Sequence, residues 1–221
     1  MLNLFDIFDP STMGLPLNWL STFLGLIVIP QLYWVLNSRF IFLLFNLIQS
    51  LTNEFKMTMK FKFNFNNLIF LSVLFFYIMF NNMLGLLPYI FTSSSHLVYS
   101  LVFSFSIWMG LMLFGWLKNF NFMMAHLVPV GTPYFLTSFM VLIELTSNLI
   151  RPMTLCIRLT ANMMAGHLIM VLLGNLITNF MFMYFILVII QLMLLMLELS
   201  VSVIQAYVFA MLMTLYLKET N

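Results

Sequence analysis

Apolar residues in this chain neither alternate nor mark out one helical stripe. They run on in blocks, and the polar residues sit between the blocks. No charged residue falls between Asp9 and Arg39, and Leu17–Leu36 is long enough to cross a hydrocarbon core of ~30 Å, with Pro30 as a kink point. Residues 40–62 are different, because a short apolar run leads into "NEFKMTMKFKF". That mixture predicts an amphipathic helix lying in the interface rather than a crossing. No Asp, Glu, Lys or Arg occurs from Phe63 to Leu117. Two upright helices fit there, at 68–87 and 97–117, with "PYIFTSSSH" as the turn. After the breaker-rich "HLVPVGTP", apolar runs cover 135–174 and 179–217, with "GNLITN" as the expected turn. Each is about 60 Å of helix at ~1.5 Å per residue. Such a helix either tilts by about 60°, far from the usual ~20°, or breaks. Pro152 forfeits the bond to the Asn148 carbonyl, so the expected form is two steeply inclined helices with a bend there.

Composition turns this pattern into a class. The chain is 63% hydrophobic and only 6% charged, against about 25% charged residues in soluble domains. The prediction is an all-α integral membrane protein in which residues 1–221 form a single membrane domain. It has about five crossings plus one interfacial amphipathic helix, and ends in a long, strongly tilted helical hairpin. The net charge of +2 is dispersed and implies no nucleic-acid partner. The single cysteine, Cys156, excludes an internal disulfide and reads as a small core residue. The start, "MLNLFDIFDPSTMG", has no basic leader and does not read as a cleaved signal. Abundant Phe and Met hint at an A+T-rich organellar genome. Arg39, Lys56, Lys60 and Lys62 lie between the first two crossings, Lys118 follows the third and Lys218 is near the C-terminus. Placing all of them on one side puts the C-terminus inside, and Asp6, Asp9 and the 88–96 loop outside.

Between Lys118 and Lys218 only Glu144, Arg151, Arg158 and Glu198 carry formal charge. At 100° per residue, Glu144, Asn148, Arg151, Arg158 and Asn162 fall within about 40° of one line. Gln191, Glu198, Ser202 and Gln205 do the same on the next helix, while His167 falls about 180° from Arg158. Buried charge in a bilayer costs at least ~2.5–3.5 kcal/mol per group, so these side chains should face protein or water and have a task. Arg151 could instead pair with Glu144 or bind carbonyls freed by Pro152. Gln191 and Ser202 fit helix-packing hydrogen bonds as well, and His96 and His126 fit interfacial positions. The three histidines do not compose a metal site, and no phosphate loop, nucleophile elbow or paired catalytic carboxylates occur.

Together these segments carry a resemblance. "IRPMTLCIRLTANMMAGHL", followed by "LELSVSVIQAYVFAMLMTLYL", is similar to subunit a of the rotary ATP synthases, and most to the mitochondrially encoded arthropod-like form. "LFDIFDPST", "LNWLSTFLG", "FNNMLGLLPYIFTSSSHL" and "MMAHLVPVGTP" extend the likeness over nearly the whole chain. The resemblance implies a stator subunit of the proton motor in the mitochondrial inner membrane, with its N-terminus toward the intermembrane space and its C-terminus toward the matrix. Its implied partners are a rotating c-ring, other membrane-sector and peripheral-stalk subunits, and lipid. Protons are the transported ion, and no cofactor or metal is implied. Arg158 matches the family's essential arginine, His167 its polar residue nine positions on, and Glu198 with Gln205 its pair seven apart. Many bacterial members carry Glu and His exchanged at the positions of His167 and Glu198, as if the two groups cooperate. Asn162, Glu144, Asn148, Ser202 and Arg151 are then expected to line the proton path, Glu144 toward the inner side. One departure is Met153, where relatives often have Gly. The alternative is a stand-alone secondary transporter or ion channel, which would call for internal repeats and a midplane substrate site. No repeat is visible between the halves.

Overall fold

The computed structural model describes residues 5–12, 14–29, 38–59, 65–128, 133–179 and 181–220, and every regular element among them is helical. The first apolar segment forms a 3-10 helix, Leu17–Phe23, that passes into α1, Leu24–Val28. Pro30 and the rest of the expected first crossing lie outside the described residues.

The Ser38 hydroxyl accepts the Ile41 N–H at 3.4 Å and starts α2, Arg39–Thr58. Satisfying a free N–H of the first turn is what makes Ser a good start signal. This helix is amphipathic, as the sequence predicts. Phe55 is wholly buried, while Phe42, Phe45 and Leu47 stand on the exposed side. Lys60 and Lys62, at the end of the expected interfacial segment, lie outside the described residues.

The apolar runs expected to be helical at 68–87 and 97–117 form α3, Phe65–Gly85, and α4, Leu97–Lys118. Between them the backbone reverses with Tyr89 at φ +69°, a left-handed conformation uncommon outside glycine. The reversal then tightens into the 3-10 turn Ser93–Ser95. There the Thr92 carbonyl accepts the Ser95 hydroxyl at 2.7 Å and the Ser95 N–H at 3.3 Å. A short α5, Phe120–His126, follows α4.

α6 runs unbroken from Thr137 to Asn179, through a fully buried Pro152. "GNLITN", expected as the turn, is therefore helical. The chain reverses later, around the 3-10 turn Met181–Met183, and returns as α7, Tyr184–Thr220. Gly174 has open space around it, so nothing packed there forces a break. At ~1.5 Å per residue α6 is about 65 Å long and α7 about 55 Å. A hydrocarbon core of ~30 Å holds helices of that length only if they are inclined.

The core sits where α3, α6 and α7 meet, closed by Phe55 of α2. α7 is central. Ala206, Phe209, Ala210 and Met213 are almost wholly buried at helical spacing, and the two alanines let neighbouring backbones approach. Leu155 and Leu159 of α6 complete the contact. The flanks of the hairpin remain apolar and exposed, at Leu142, Leu145, Leu149 and Ile157 on α6 and at Leu192, Met193, Met196 and Ile204 on α7. So extensive an oily surface belongs against lipid or other subunits.

Candidate functional site

The polar residues of the hairpin sort into two regions, one on either side of Arg158. On the side of the 88–96 turn, Glu198 of α7 lies directly on the backbone of α6. It is only 9% exposed. A Cβ on Gly166 would fall 2.9 Å from the Glu198 Cδ and Oε1. The absence of a side chain at Gly166 lets the carboxyl sit there, and a larger residue would displace it. Glu198, Asn162 and Gln205 share a cavity of about 320 Å³ with Gly166 and Leu86.

His167 follows Gly166 but points elsewhere. Phe8 packs edge-on against its ring at 6.4 Å, and the backbone of Gly85 lies beside it. Its Nε2 and the Glu198 Oε1 are both buried without a partner, so these two atoms are not bonded to each other. Three more side chains on this side share that condition: Asn82, at both carboxamide atoms, Ser94 and His96. Buried polar groups are normally paired, so these are positions where bound water would supply the missing hydrogen bonds. Among the described residues, every buried side-chain nitrogen or oxygen without a partner falls in this region. Outside the helices here, the Asp9 carboxylate accepts the Ser11 N–H at 3.0 Å. Hydrogen bonds from the Ser11 backbone and side chain hold it below the usual carboxylate range.

Arg158 is exposed on the flank of α6. It shares a crevice with Gln205, Leu155, Leu159, Val208 and Phe209, and among the described residues no carboxylate pairs with it. An uncompensated guanidinium on an apolar flank is costly and ready for an anionic partner from outside the chain.

Beyond Arg158, a second cavity of about 220 Å³ is lined by Glu144, Asn148, Arg151, Tyr216, Glu219 and His126, among others. Arg151 donates to the Glu219 Oε2 at 2.8 Å and reaches the Glu144 Oε1 at 3.7 Å. The Arg151–Glu144 pair considered from the sequence is thus the looser of two, and Glu219 at the end of α7 is the closer partner.

The structure therefore brings Glu198, Asn162 and Gln205 together, places Arg158 beside Gln205, and gathers Glu144, Asn148 and Arg151 around another cavity. It leaves His167 on a different wall from Arg158, as the nine-residue spacing predicts. Ser202 is wholly buried, and its hydroxyl donates to the Leu199 carbonyl of its own helix at 2.7 Å. Gln191 lines neither cavity. Met153, the departure from the family pattern, is 41% exposed. Cys156 is a buried core residue whose Sγ lies 3.0 Å from the Ser100 hydroxyl. Sequence reasoning missed Asn82, Ser94 and Glu219. The first two read as ordinary helix-end and turn residues, and Glu219 lies just beyond the Lys218 that bounded the charge count.

The sequence profile of the ATP synthase A chain family matches residues 16–218. The chain is 53% identical to ATP synthase subunit a of Aedes aegypti over the full length of both. It is 50% identical to that of Drosophila simulans, again over both full lengths. With ATP synthase subunit a of Locusta migratoria it shares 51% identity over 99% of each chain.

Proposed function

The chain belongs to the ATP synthase A chain family and is a multi-pass subunit of the ATP synthase membrane sector, and from that premise we propose that it is the proton-translocating stator. In this reading it forms two half-channels against a rotating c-ring and couples proton flow to rotation and ATP synthesis. It sits in the mitochondrial inner membrane, N-terminus toward the intermembrane space and C-terminus toward the matrix, beside other membrane-sector and peripheral-stalk subunits. The observation that carries the reading is the position of Arg158. The unpaired buried groups Asn82, Ser94, His96, His167 and Glu198 lie on one side of it. The Glu144–Arg151–Glu219 cavity lies on the other.

The chemistry follows from what each group can hold. A ring carboxyl that faces lipid is held neutral, because an ionised carboxyl is heavily penalised there. At 4 Å and an effective dielectric of ~20, a guanidinium offers it about 4 kcal/mol, close to 10³-fold in the ionisation equilibrium. Arg158 thus makes a passing carboxyl release its proton. Because arginine keeps its own proton at any accessible pH, it also bars direct passage between the half-channels. Gln205, in the same crevice, orients the guanidinium. On the outer side Glu198 and His167 exchange protons along a path that includes Asn162. Since the Glu198 Oε1 and the His167 Nε2 are not bonded to each other, the relay between those atoms runs through intervening polar groups or water. On the inner side Glu144 receives or releases protons, with Asn148 and Arg151 around it. Ser202, one turn beyond Glu198 on the same helix, lines the path between Glu198 and Gln205.

Arg158→Lys tests the reading. A buried ammonium can neutralise itself, so ATP-driven proton pumping should fall on the order of 100-fold or more, without loss of the assembled complex. Near-normal coupled pumping in that variant would rule out the attraction-and-barrier role.

A further inference from the structure

Beyond the residues that the family pattern assigns, the outer region holds an imidazole with an unusual setting. His96 stands at the junction of the Ser93–Ser95 turn and α4. It is the N-cap residue of that helix, yet its side chain makes no capping bond. The ring is stacked on Phe91 at 5.1 Å and tilted against Trp19 at 5.3 Å. The residue is partly exposed at the surface, while its Nε2 faces inward, buried and without a partner. A ring kept only for packing would not leave a polar nitrogen unpaired, since a phenylalanine would fill the slot between Phe91 and Trp19 without that penalty. His126 offers a contrast, being exposed and stacked edge-on against Phe122 with no buried orphan atom.

Two more unpaired polar groups belong to the same turn and to α3. The Ser94 hydroxyl, wholly buried, has no partner, and neither has the wholly buried carboxamide of Asn82 at the end of α3. The turn packs against α6 and against α3. Thr92 closes on Gly85 so tightly that a Cβ there would meet its Cγ2 at 3.2 Å, and the backbone of Gly85 lies beside the His167 imidazole. Through Thr92 and Gly85, the turn that leads to His96 is thus packed back to the His167 imidazole.

We propose that His96 is the outermost proton-exchange residue of the outer path, taking protons from the outer aqueous side and passing them along the Asn82–Ser94 wall toward His167. An imidazole suits the step because its two nitrogens are separate sites. One N–H bond forms at one nitrogen as a proton arrives, another breaks at the second nitrogen as a proton leaves, and the ring is again neutral. This role rests on the stator reading above, so its test needs a control that can fail separately.

The test is passive proton flux, driven from the outer face, through the complete membrane sector in lipid vesicles and normalised to assembled complex. His96→Phe keeps the ring stack and removes both nitrogens; His96→Ala opens a space the size of an imidazole. Both should conduct on the order of tenfold more slowly than the parent. Imidazole in the outer buffer should restore His96→Ala and leave His96→Phe slow. His96→Gln, polar and of similar size, repeats the comparison with little disturbance of packing and should be slow as well. Parent-like flux in His96→Phe overturns the proposal. So does a His96→Ala loss that imidazole does not repair, which would give the ring a packing role. Glu198→Gln in the same vesicles is the control. If it blocks flux while His96→Phe conducts normally, only His96 is reassigned. If it conducts normally too, the stator reading itself fails.

Discussion

Gly166→Ala separates the stability of the helix pair from its chemistry. The new methyl would lie 2.9 Å from the Cδ and Oε1 of Glu198 and 3.2 Å from its Cγ. Ordinary contact between such atoms begins near 3.4 Å, so something must move by about 0.5 Å, and interior packing leaves little slack. The clashing atoms are the far end of a flexible side chain rather than backbone. The carboxyl therefore rotates away, and the helices do not have to separate. Alanine is also a better helix former than glycine by roughly 0.5–1 kcal/mol, which offsets much of the ~1–3 kcal/mol usual for overpacking. The net effect on stability should be within about 1–2 kcal/mol, and the complex should assemble. Function should suffer more, because displacement of a reacting group by as little as ~1 Å can cost up to ~100-fold. Proton flux per assembled complex should fall about tenfold. Adding Glu198→Asp, which draws the carboxyl back by one methylene, should recover part of the loss. The reasoning is refuted if Gly166→Ala assembles and conducts like the parent, or if the double variant conducts less than both single variants.

Three further outcomes follow from individual side-chain contacts. Glu219→Gln removes the closer partner of Arg151 and leaves it to Glu144 at 3.7 Å. Because the Arg151 and Glu219 side chains are 35% and 56% exposed, the stability change should stay below ~1 kcal/mol. Flux toward the inner side should drop severalfold as Glu144 becomes tied up; unchanged flux would make Glu219 purely structural. Tyr99→Phe deprives the buried Asn81 amide of its acceptor at 2.9 Å. It should cost about 1–3 kcal/mol, read as a lower temperature of thermal inactivation, and an unchanged temperature would contradict the pairing. Tyr207→Phe loses the bond to Glu54 at 3.0 Å between exposed groups. It should cost no more than about 1 kcal/mol and leave α2 in place, since Phe55 anchors that helix; release of α2 to added protease would show the hydrogen bond to be the main tether.

What the sequence made legible depended on how local the cause was. The ends of α3 and α4 follow from apolar runs that stop at a turn or a charge, and those ends agree with the expectation to within a few residues. The amphipathic character of α2 was equally local. The end of α6 was not. "GNLITN" carries a glycine and two asparagines, yet no neighbour demands a reversal there and the helix continues to Asn179. Continuity at Pro152 also depends on surroundings, because a fully buried proline is held by the helices packed around it. In the site, helical periodicity correctly put Arg158 and His167 on different walls. It could not find Glu219 as the partner of Arg151, or Asn82 and Ser94 as unpaired groups, because those relations join positions far apart in the chain.

The central claim is that Arg158 attracts a moving carboxyl from outside this chain. Its most direct measurement is the distance between the Arg158 guanidinium and the nearest ring carboxyl in a structure of the chain assembled with its ring. The account predicts about 4 Å, direct or through one water, at the ring subunit facing Arg158. A separation beyond about 10 Å, where the attraction at the same dielectric falls below about 2 kcal/mol, would contradict it.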